Sequence, residues 1–106
     1  MGNEQIITMV DFSRRYAAQY EDFTYPTVEG SFSGTLVVLH WATHAIIHSF
    51  WELDNGAKFD CPIFRDSDQW HDIQNFSIGD RATIVLKKSS SGKIYLRGLE
   101  RKGKLL

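Results

Sequence analysis

The chain has 106 residues, 42% of them hydrophobic and 24% charged. This length supplies one domain with one small core and excludes a large enzyme with separate cofactor and substrate domains, while the single cysteine, Cys61, excludes a disulfide-stapled scaffold. The formal net charge of -1 argues against a general polyanion binder but hides an asymmetry: residues 1–79 carry four basic and eleven acidic side chains, residues 80–106 eight basic and two acidic.

Residues 1–5 bring no basic region with an apolar run behind it, so no secretory signal is expected. Ile6 stands where a myristoylation motif needs Ser or Thr. Residues 8–20 are expected as a helix: Thr8 and Asp11 suit a capping box, and Met9, Phe12, Tyr16 and Tyr20 recur at helical spacing. Residues 21–30, with Pro26, form a connector.

From Ser31 the period changes to two. Phe32, Leu36, Val38 and His40 are expected on one face of a first strand, with Gly34 in their row; Thr35, Val37, Leu39 and Trp41 take the other. Both rows are largely apolar, which predicts cover on both sides. A turn at Ala42, Thr43 and His44 leads into a second strand over residues 45–53. Asp54, Asn55 and Gly56 tolerate a tight hairpin, and a third strand follows over residues 57–64, where Pro62 marks an edge or a bulge. A short helix is expected over residues 68–76, with Trp70 and Ile73 inward. The fourth strand, residues 81–88, points Ala82, Ile84 and Leu86 inward. Residues 89–92 turn the chain into a fifth strand over residues 93–99, with Ile94 and Leu96 inward and Lys93, Tyr95 and Arg97 outward. Residues 101–106 form a basic tail.

Residues 36–53 also permit a helix that would line up His40, His44 and His48. The β-branched residues Val37, Val38, Ile46 and Ile47 favour strands, as does the turn that follows. The polar interruptions at His40, Thr43, His44, His48 and Ser49 argue against a membrane span there. A cytoplasmic, soluble protein without a membrane partner is the expectation.

This order of elements resembles the OB-fold, a five-stranded Greek-key barrel. The likeness covers residues 30–100. Gly34 suits the bend of the long first strand, and Ile78, Gly79, Asp80, Arg81, Ala82, Thr83 and Ile84 look like the turn into the fourth strand of many OB domains. The expected architecture is therefore mainly β: one domain over residues 1–106, an OB-like barrel with an N-terminal helix and a short helix between strands three and four. An SH3-like small barrel is the competing fold. The resemblance implies a ligand face around strands two and three, bordered by the loops after strands one and four. Family members bind single-stranded nucleic acid, oligosaccharides or proteins there.

Single strands need rings for bases and cations for phosphates. Trp41, His48, Phe50 and Tyr95 are the candidate rings, and Lys58, Lys87, Lys88, Lys93 and Arg97 the candidate phosphate contacts. Glu52, Asp54 and Asp60 near the same surface oppose phosphate. The competing reading places Phe50, Trp51 and Phe64 in the core. His40, His44 and His48 form a metal patch only on a helix or in a favourable hairpin register, and no paired-ligand signature supports one. Cys61 with a histidine is the sole nucleophile–base pair, yet it falls in the apolar row Ala57, Phe59, Cys61, Ile63. Asp66, Asp68 and Asp72 read as helix-start acids. The expectation is non-catalytic binding of single-stranded DNA or RNA, with neither cofactor nor metal. A protein-interaction module built on the same barrel is the alternative.

Overall fold

The structure is a computed structural model, and it describes residues 21–102. The expected helix over residues 8–20 and the last four residues of the basic tail lie outside the described residues. Five strands form one antiparallel sheet: β1 (Gly30–Thr43), β2 (Ile46–Leu53), β3 (Lys58–Phe64), β4 (Arg81–Lys88) and β5 (Ile94–Arg101). Their spatial order is β3-β2-β1-β4-β5. One short helix, α1 (Gln69–Ile73), lies between β3 and β4. No helix of the described residues is long and apolar enough to cross a membrane.

The turns form where the residue types demand them. Gly56 adopts a φ of 95° and donates its N–H to Leu53 O, while Asn55 Oδ1 accepts the Ala57 N–H. Gly92 likewise turns the β4–β5 hairpin with a φ of 89°.

β1 is the shared strand. Its first part, Gly30 to Thr35, pairs with β4, and its second part, from Gly34 on, pairs with β2. Gly34 therefore has Leu53 on one side and Ala82 on the other. A Cβ at Gly34 would lie 2.7 Å from Leu53 Cδ2 and 3.1 Å from Glu52 O. The glycine thus permits a close approach of backbones.

A β-bulge between Leu36 and Val38 corrects the expected alternation. Leu36 lies opposite Trp51 and is fully buried, but Val38 and His40 lie opposite Phe50 and His48, on the other face. One extra residue reverses the inside and outside of everything after it. Leu39 then packs against the core instead. The bulge also turns Leu36 towards the chain before β4: its N–H donates to Asp80 O, and its carbonyl accepts the Gly79 N–H.

The core is the row Ile47, Trp51 and Leu53 from β2, Phe59, Cys61 and Ile63 from β3, and Ala82, Ile84 and Leu86 from β4, closed by Trp70 and Ile73 of α1. The inward rows of β3 and β4 follow the period-two reading. Trp51 is fully buried, and its indole N–H donates to Ser49 Oγ at 2.9 Å; the Ser49 hydroxyl donates to Cys61 O at 2.7 Å. This chain satisfies both buried polar side chains.

Two further expectations are corrected. α1 spans five residues, shorter than the expected 68–76. β5 extends through Arg101, two residues past its expected end; the Arg101 guanidinium lies 4.7 Å from the centre of the Phe76 ring and donates to Asn75 O.

The main correction concerns closure. The sheet is open, because β3 and β5 form no ladder and the expected barrel is incomplete. Three features explain this. Thr24 occupies part of the outer edge of β3, donating to Lys58 O and accepting from the Asp60 N–H. The next outward position on that edge is Pro62, which has no N–H to offer. On the opposite strand, Gln69 Nε2 donates to Arg97 O at 2.6 Å and takes up that carbonyl.

Gly34→Ala is expected to force Leu53 and the β2 backbone apart, at a cost of about 1–3 kcal/mol. The midpoint of urea unfolding measures it; an unchanged midpoint contradicts the close approach.

Candidate nucleic-acid interface

The face of β2 and β3 away from the core carries His48, Phe50 and Glu52 on one strand and Lys58, Asp60 and Pro62 on the other. Its charges are paired internally. His48 Nδ1 donates to the Asp60 carboxylate, at 2.8 and 3.1 Å from the two oxygens. Lys58 Nζ lies 3.9 Å from Glu52 and 5.9 Å from the centre of the Phe23 ring. Phe50 is only 3% exposed, with the Phe23 ring centroid 5.1 Å away. The connector residue Phe23 thus occupies the position expected for a base. Phe50 offers no open ring, and His48 and Lys58 are already engaged.

The hairpin register brings His40 and His48 together as Cα partners, their rings stacked at 6.1 Å. His44 stays in the turn. Burial, reinforced by the nearby His48 and opposed by Asp60, holds His40 below the ordinary histidine pKa. Among the described residues no group of three His, Cys, Asp or Glu side chains is arranged to hold a metal ion.

The outward face of the β4–β5 hairpin differs. Tyr95 is 43% exposed, and Lys87 is its Cα partner across the ladder. Lys93 and Arg97, both exposed, lie two residues before and after Tyr95 on the same strand run. Lys88 follows Lys87 at the strand end and is exposed; it is the Cα partner of Ile94, so its side chain leaves from the face opposite to Lys87, and its backbone N–H donates to Glu29 Oε2 at 2.7 Å. The structure therefore brings together Lys87, Lys93, Tyr95 and Arg97, and sets Lys88 on the other face at the end of the hairpin.

Trp41 belongs to another place. It sits at the end of β1 remote from the β4 pairing, is 48% exposed, and meets Trp70 edge-on at 5.4 Å. Thr43, His44, Arg65 and Gln74 complete a shallow cleft around it.

Each of the acids expected to repel phosphate has a partner. Asp54 accepts two hydrogen bonds from Arg81, at 2.9 and 2.6 Å, which hold its carboxyl below the usual carboxylate range. Asp60 faces His48 and Glu52 faces Lys58.

Two exposed aromatics join the surface beside Tyr95. Phe64, at 52% exposure, and Tyr25 line a groove of about 670 Å³ with Pro62, Lys93, Ile94 and Tyr95. The outward row of β3 places Phe64 from the period alone. Its exposure follows from the missing β3–β5 ladder, which no local pattern signals. Tyr25 lies in the connector and carries no periodic signal.

Cys61 is buried, and burial together with Asp60 pushes its thiol well above the usual cysteine range. Burial disfavours the thiolate form that a nucleophile needs. No protein-family model and no curated protein matches this chain.

Native protein at pH 8 is expected to leave Cys61 unlabelled by an aromatic disulfide reagent, and protein in denaturant to react fully. Rapid labelling of the native chain contradicts the burial.

Proposed function

We propose that this domain binds single-stranded DNA or RNA without catalysis, on the outward face of the β4–β5 hairpin. The observation that carries the reading is Tyr95, an open ring with Lys87 across the ladder and Lys93 and Arg97 along the strand. An open ring stacks on any base, and cations around it take the flanking phosphates. Lys88 adds positive charge at the end of the same hairpin, and Trp41, in its separate cleft against Trp70, takes no part in this contact. The strand order and the short helix between β3 and β4 support an OB-like arrangement. In this reading His48, Phe50 and Lys58 hold the neighbouring face together and make no contact with the ligand.

A second reading, a protein-interaction module, is favoured by one specific feature: the groove lined by Tyr25, Phe64 and Tyr95. Exposed apolar surface of this kind commonly marks a protein contact.

Fluorescence anisotropy with labelled single-stranded DNA, single-stranded RNA and duplex DNA tests the first reading. Micromolar binding to a single strand, weakening steeply with salt, is expected. Tyr95→Ala is expected to weaken it by about 1–3 kcal/mol, and Lys87→Ala with Lys88→Ala to flatten the salt slope by about 1–2 units. Lys58→Ala is expected to change neither. Absence of binding at low salt rejects the reading and leaves the protein-interaction module.

A further inference from the structure

Among the described residues, the open seam leaves backbone groups of β5 without a bonding partner. In the β4–β5 hairpin the Ser89 N–H donates to Lys93 O, which fixes the alternation of the ladder. Lys87 and Tyr95 then exchange hydrogen bonds, while Ile94 and Leu96, opposite Lys88 and Leu86, point their N–H and C=O groups away from β4. Among the described residues no loop or side-chain partner takes up these groups. They face the groove, whose walls are apolar: Tyr25 and Pro26 on one side, Cys61, Pro62 and Phe64 on another, Ile94 and Leu96 on the third. An open strand edge beside an apolar groove is a template for one more strand.

The geometry points to the occupant. β3 and β5 run in the same direction, because each is two antiparallel steps from β1. A strand laid along β5 in the favoured antiparallel sense is therefore antiparallel to β3 as well. The accessible edge runs from Gly92 to Leu96 and stops where Gln69 holds Arg97 O. At about 3.4 Å per residue this edge matches a segment of four or five residues. Lys93 and Arg97 flank it on the outward face, with Lys87 behind.

We propose that the Ile94–Leu96 edge of β5 takes up an extended peptide segment in which apolar side chains alternate with acidic ones. The apolar residues enter the groove beside Pro62 and Leu96. The acidic ones stay on the outward face against Lys93 and Arg97. The Ile94 and Leu96 backbone groups supply the main-chain bonds, which fix the register without reading side chains. This site stands whether or not the outward face binds nucleic acid.

The test uses the full chain, isotopically labelled, with three octapeptides of alternating valine and glutamate, valine and lysine, or valine and serine. At millimolar concentration the glutamate peptide is expected to slow amide hydrogen exchange at Ile94 and Leu96 by about tenfold or more. Asp60, whose N–H is already bonded to Thr24, is expected to stay unchanged. Lys93→Glu with Arg97→Glu is expected to transfer the effect to the lysine peptide. Ile94→Pro removes an N–H that β4 does not use and is expected to abolish it in a folded chain; should that variant misfold, the charge inversion decides. No slowing with any peptide overturns the proposal. So does equal slowing with all three, or slowing by a single-stranded oligonucleotide in place of the peptides.

Discussion

Gly34 is where the sheet is joined. Only around this residue does β1 have neighbours on both sides, Leu53 of β2 and Ala82 of β4. On either side of that close approach lie two hairpins, β2–β3 and β4–β5, each paired with one end of β1. The ion pair of Arg81 with Asp54, which also engages Thr35, bridges the same junction from the surface. The bulge after Leu36 adds two backbone hydrogen bonds to Gly79 and Asp80. Backbone proximity, bulge and ion pair all fix one crossing point, across which strands distant in sequence meet. Such non-local pairing makes folding slower than that of a helical domain of equal size.

The two faces of the sheet are used differently. Around β2 and β3 the outer face is closed over: Phe23 shields Phe50, and His48, Asp60, Lys58 and Glu52 satisfy one another. The Phe50 ring is already desolvated, so a ligand would have to displace Phe23 before stacking on it. Around β4 and β5 the opposite holds. The ring of Tyr95 and the surrounding cations are solvated and separate, held apart by the strand geometry. Binding there displaces water alone.

Much of this was legible from residue types. The period-two rows of β3 and β4 placed their core residues correctly, and Asp54, Asn55 and Gly56 announced their turn. Pro62 signalled an edge, and β3 is an edge strand. The row of β1 failed beyond Leu36 because a bulge has no composition of its own; it is set by what the neighbouring turn at Gly79 and Asp80 requires. Closure failed for a similar reason. Whether two edge strands pair depends on groups brought from elsewhere, here Thr24 and Gln69, and hydrophobic pattern is blind to them. The same blindness explains the site: the cationic residues around Tyr95 were visible as a row, but nothing local showed that Phe23 would cover Phe50.

The three tryptophans occupy three depths. Trp51 is wholly enclosed and hydrogen-bonded to Ser49, Trp70 is buried at 7% exposure in the same core, and Trp41 stands half in solvent with its ring edge against Trp70. The molecule thus carries its own graded set of optical reporters. Emission from Trp51 follows the integrity of the core, whereas quenching of Trp41 by a small solute follows its edge contact with Trp70 of α1. Loosening of the helix and melting of the sheet become separately visible in one unlabelled sample.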